Sequence, residues 1–122
     1  MTWNFENNRP IYLQIMDELM IKIISGEYAP GEKVPSVREL AAEIKVNPNT
    51  LQRAFSELES LNIIKAQRTS GRYVTEDQKL LKELKDNAAS QKAIQYFKEM
   101  RQLGFDDQES LEFIKEARKD DE

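Results

Sequence analysis

The chain has 122 residues, 33% of them charged, a formal charge of −4, and neither His nor Cys. That length allows one ordinary domain, or a small domain with an appendage, and the missing residue types exclude disulfides, thiolate metal sites and the commonest general base. No apolar run approaches the ~18–20 residues that cross a bilayer, and MTWNFENNRP lacks a signal-peptide pattern, so a cytoplasmic protein with no membrane partner and no cofactor is expected.

Trp3 and Phe5 alternate with polar residues in WNFEN, the pattern of a short extended strand or of an apolar arm that docks on the rest. Arg9-Pro10 then opens a helix. Ile11, Ile15, Leu19 and Ile23 recur every four residues along it, so much of its girth is expected to be buried, and Ser25-Gly26 ends it. Pro30-Gly31 marks a turn. Ser36-x-x-Glu39 is a capping box, which starts a short helix at about Val37 with Leu40, Ala41 and Ile44 on its apolar face. That helix ends near Lys45. Asn47 is a good N-cap and Pro48 a good first helical residue, so a third helix follows within a few residues, with Leu51, Ala54, Phe55 and Leu58 turned inward. The pair forms a helix-turn-helix.

Ile63-Ile64 and Tyr73-Val74 are β-prone, and Thr69-Ser70-Gly71 between them forms a turn. The segment is a two-stranded hairpin, and directly after a helix-turn-helix it is a wing. From Glu76 the composition shifts to helix formers. Leu80, Leu81, Leu84, Ala88, Ile94, Phe97 and Met100 carry an interrupted helical period to Leu103-Gly104, and Asp106-x-x-Glu109 caps a last helix lined by Leu111, Ile114 and Ala117. Two such helices cannot close a core alone, so their stripes need a second copy of the chain. The fold class expected is mostly α with a small β-hairpin: a winged helix-turn-helix over residues 1–75 and a helical dimerisation tail over 76–122.

Charge follows the same division. Between Lys33 and Tyr73 seven basic residues stand against four acidic ones, an excess of +3, whereas from Glu76 to Glu122 nine stand against thirteen, giving −4. The basic half carries the side chains that reach base edges. Asn49, Thr50, Gln52 and Arg53 occupy the first two turns of the third helix, where Asn and Gln pair with adenine and Arg with guanine. Asn47 combines a cap with a place at a helix N-terminus, which attracts phosphate. Singly, each has a plainer reading: Asn47-Pro48 starts a helix, Arg53 is a solvated charge, Ser36 is a cap, and Arg38 pairs with Glu39 or Glu43. Arg68, Gly71 and Arg72 cluster at the wing, where two arginines suit a minor groove or phosphates, or merely keep an edge soluble. The aromatic residues Tyr96, Phe97, Phe105 and Phe113 have the spacing of packing residues. Nothing has the spacing of a catalytic triad, a P-loop or an EF-hand, so no enzyme is expected.

The string GEYAPGEKVPSVRELA, from Gly26 to Ala41, resembles the winged-helix domain of GntR-family bacterial transcription regulators, and VNPNTLQRAF with the short tail resembles the YtrA subfamily. The resemblance implies a DNA-binding regulator, a repressor, acting as a homodimer on a palindromic operator in double-stranded DNA. It places Ser36, Arg38, Asn47, Asn49, Thr50, Gln52, Arg53 and Gly71 on the family's DNA-contacting pattern. The wing departs from the family's usual R-G-x-G-T-F-V: here it is RTSGRYV, with Arg72 in place of a small hydroxyl residue. The alternative class is a winged-helix protein-interaction module that does not bind DNA. The small-molecule effector is unknown from the sequence.

Overall fold

The protein is described here from a computed structural model covering residues 3–68 and 70–121. Five helices and one hairpin follow in the order α1 Ile11–Ile24, α2 Val37–Ile44, α3 Pro48–Ser60, β1 Ile64–Gln67, β2 Gly71–Val74, α4 Gln78–Gln102 and α5 Asp107–Asp120. The chain divides between Leu84 and Lys85 into two compact units, with α4 contributing to both.

In the first unit, the four-residue spacing of α1 buries Ile15, Leu19 and Ile23, while Ile11, at the first turn, remains 44% exposed. These residues pack on the inward face of α3, where Leu51, Ala54, Phe55 and Leu58 are all fully buried. Leu40, Ala41 and Ile44 of α2 close the core from the side, and Leu81 and Leu84, at the start of α4, pack against it. Burial on this scale supplies the main driving force for the fold.

The starts of α2 and α3 have local causes. The Ser36 hydroxyl accepts a hydrogen bond from the Glu39 N–H at 3.1 Å, which supplies one half of the expected box. Asn47 Oδ1 accepts from the Asn49 N–H at 2.8 Å, with Pro48 at the first helical position. Between α2 and α3 the chain turns through Lys45, whose φ of 58° is left-handed, an unusual position for a residue with a Cβ.

Trp3 and Phe5 form an arm rather than a strand. Their rings meet edge to face and pack against the core. Gln14 holds the arm: its Oε1 accepts from the Glu6 N–H, and its Nε2 donates to the carbonyls of Glu6 and Arg9. These bonds account for a glutamine that is only 8% exposed.

β1 and β2 are antiparallel, pairing Ile64 with Val74 and Gln67 with Gly71. Gly71 therefore opens β2 rather than sitting in the turn, and its φ of 116° is accessible to glycine and to few other residues. The segment read as a simple turn also runs alongside β2. Lys33 bridges to Tyr73, the Val34 N–H donates to the Arg72 carbonyl, and the Val74 N–H donates to the Glu32 carbonyl. Val34, only 4% exposed, ties this edge to the core.

In the second unit, the end of α4 and α5 form a helical hairpin. The turn passes through Gly104, and Asp106 caps α5 with both reciprocal bonds of the box. The Tyr96 hydroxyl donates to the Ser110 carbonyl at 2.6 Å. Arg101 grips Asp107 through two N–H groups, and this hydrogen-bonded guanidinium holds the Asp107 carboxyl below the usual carboxylate range. The Phe105 and Phe113 rings meet edge to face, 5.0 Å apart. Little else is enclosed: Ser110 is the one buried residue of this unit among those described. Leu103, Leu111, Phe113 and Ile114 are 43–71% exposed.

Candidate nucleic-acid interface

The side chains of α3 divide cleanly. Leu51, Ala54 and Phe55 are fully buried. Asn49, Gln52 and Arg53 are exposed on the opposite side, with Asn47 exposed at the cap and Thr50 half-buried at the edge. A 3.6-residue period produces this division, since residues three and four apart share a face. The result is a row of amide and guanidinium groups on a rigid helix, the inventory from which direct base reading is built.

The fold also gathers basic and hydroxyl residues distant in sequence. Ser36 at the N-terminus of α2 and Ser70, Gly71 and Arg72 of the hairpin line one open cleft of about 490 Å³. Lys33 also lines it, with its Cε 2.9 Å from where a Cβ on residue 71 would lie. Arg38 is exposed in the first turn of α2, and Arg68 is exposed at the end of the hairpin. Thr69 lies outside the described residues. Tyr28 also faces the cleft, and burial pushes its phenol above the usual range.

Two of the arginines are held by the protein itself. The Arg53 guanidinium stacks over the Tyr12 ring of α1, 3.7 Å from its centroid. Arg72 turns inward: its Nε donates to Glu59 Oε1 on α3, and its guanidinium lies 5.1 Å from the centre of the Phe55 ring. The expectation of two outward arginines flanking Gly71 thus meets one outward side chain, Arg68, and one folded against α3.

The sequence profile of the bacterial regulatory proteins of the gntR family matches residues 11–74, from α1 through the end of the hairpin. The chain belongs to the GntR family. It is accordingly a bacterial transcription regulator, and its GntR relatives resemble it beyond the matched segment. An uncharacterised HTH-type regulator, YhcF of Bacillus subtilis, is 42% identical over 91% of this chain and 92% of its own length. The repressor YtrA of the same organism is 44% identical over 60% of this chain and 56% of its own length. A GntR-family regulator from Listeria monocytogenes, solved as a structure, superposes with a TM-score of 0.84 at 38% identity, covering 92% of this chain and 98% of that one. AraR(DBD), solved in complex with operator ORR3, is 26% identical with a TM-score of 0.54, over 60% of this chain and 88% of that one.

Three neighbours of these candidate side chains escaped sequence reasoning. Ser56 accepts a hydrogen bond from Gln52 Nε2 at 3.3 Å; its place four residues after Gln52 was a usable signal. Tyr12 and Glu59 carried none, because each meets its arginine across a tertiary contact.

Proposed function

We propose that this GntR-family chain is a sequence-specific repressor that binds a palindromic operator as a homodimer in the cytoplasm. DNA contact lies within residues 1–75 and pairing of subunits within 76–122. The observation that carries the reading is the row on α3: polar, exposed side chains on a helix whose opposite side is fully buried. A helix of this kind fits the major groove and presents its N-terminal residues to base edges. Asn49, Thr50, Gln52 and Arg53 are assigned to bases. Ser36, Arg38, Asn47, Arg68 and the backbone at Gly71 are assigned to phosphates or the adjoining groove. Arg72 is assigned to the wing's attachment to α3, on the strength of its bond to Glu59. The solved complex of AraR(DBD) with its operator supports DNA as the partner.

Pairing through the tail is supported by the exposed Ile94, Leu103, Leu111, Phe113 and Ile114. Several large apolar side chains left in water on one helical hairpin favour a covering partner, and a second copy of the chain supplies the same surface. A two-fold dimer demands two-fold DNA. The test is fluorescence anisotropy at moderate salt, comparing the promoter fragment beside the gene with a shuffled duplex of equal length. The expected result is tighter binding to the promoter by a factor of about 10³ or more. Equal binding to both, or none, would leave the protein-interaction module as the better account.

A further inference from the structure

We propose that Tyr12 is a positioning residue for base selection: it holds the Arg53 guanidinium stacked on its ring and so fixes where that side chain enters the groove. The inference rests on the DNA-reading role of α3 proposed above. Arg53 follows Asn49 by one helical turn on the exposed side of α3, and its guanidinium carbon lies 3.7 Å from the Tyr12 centroid. The ring does not depend on Arg53 for its place. Tyr12 is in the first turn of α1, partly buried against the core that joins α1 to α3.

Stacking uses the face of a guanidinium and leaves its N–H donors, which lie in the plane, free for a base or phosphate. It also removes rotamer freedom before DNA arrives. An arginine ordered in advance loses less entropy on binding, which raises affinity only where its donors find the right acceptors. Tyr12 therefore contributes to discrimination without touching DNA. An Arg solvated in the usual way would reach many positions and tolerate more sequences.

The test is a cycle of variants, each titrated against the selected operator and a shuffled duplex, with the thermal midpoint as a check on folding. Tyr12→Phe keeps the ring and is expected to behave as the wild type. Tyr12→Leu is expected to reduce the operator-to-shuffled preference roughly three- to tenfold, the range of a cation–π contact, with little change on the shuffled duplex. In an Arg53→Ala background the same Tyr12→Leu change is expected to do nothing further to the preference. If Tyr12→Leu disturbs folding, Arg53→Lys serves instead: an ammonium keeps the charge without the planar stack, and its preference is expected to fall toward that of Arg53→Ala. An undiminished preference in Tyr12→Leu or Arg53→Lys, or an equal loss from Tyr12→Leu with and without Arg53, overturns the inference while leaving the proposed function intact. A wild type with no operator preference overturns both.

Discussion

Asn47 and Gln52 use their side-chain amides differently. Asn47 Oδ1 is committed to the Asn49 N–H, so its first task is to start α3. Asn47→Ala is expected to lower stability by about 0.5–2 kcal/mol in chemical denaturation; a change within error would mean that Pro48 alone sets the helix start. Gln52 is exposed, and its local partner, Ser56, is a side chain on the same strip. Gln52→Ala is expected to weaken operator binding by ~1–3 kcal/mol while leaving the shuffled duplex nearly unaffected. Equal losses on both duplexes would show that Gln52 reads no base. The residue types and the face of α3 they occupy were legible in the sequence, because period and capping are local. The contacts of Arg53 with Tyr12 and of Arg72 with Glu59 were not, because sequence spacing does not reveal which rotamer a distant aromatic ring or carboxylate will capture.

The elements show the same division between local and distant causes. Asn-Pro, Ser-x-x-Glu and Asp-x-x-Glu marked the helix starts because caps act within one turn. The edge formed by Lys33 and Val34 was missed because pairing with β2 is a long-range event in a segment dominated by Pro and Gly. Gly71 moved from the turn into β2 for a related reason: register, not turn composition, fixed its place. Between α3 and the hairpin, the Arg72–Glu59 pair joins the two elements that are proposed to share one duplex. Arg68→Ala is expected to reduce the slope of log affinity against log salt by about 0.9, as one lost phosphate contact does. Arg72→Ala is expected to lower the thermal midpoint and leave that slope unchanged. A reversed pattern would place Arg72, and not Arg68, on the phosphates.

The molecule as a whole joins a closed core to a hairpin that encloses almost nothing. The first unit buries residues from α1, α2, α3 and both strands, whereas the second leaves large apolar side chains exposed. The expectation that the two tail helices cannot close a core alone agrees with this contrast, and the compact units divide after Leu84 because Leu81 and Leu84 at the start of α4 pack on the core. Leu111→Asp with Ile114→Asp is expected to yield a monomer in analytical ultracentrifugation and to weaken operator binding. A wild type that sediments as a monomer at micromolar concentration would contradict pairing through the tail. The placement of α3 in the major groove is tested most directly by methylation interference on the selected operator, since guanine N7 faces that groove. Two patches of N7 interference are expected on one face of the duplex, about 34–36 Å apart or a multiple of that. Full binding to DNA methylated at every guanine N7, with interference confined to the minor groove, would contradict it.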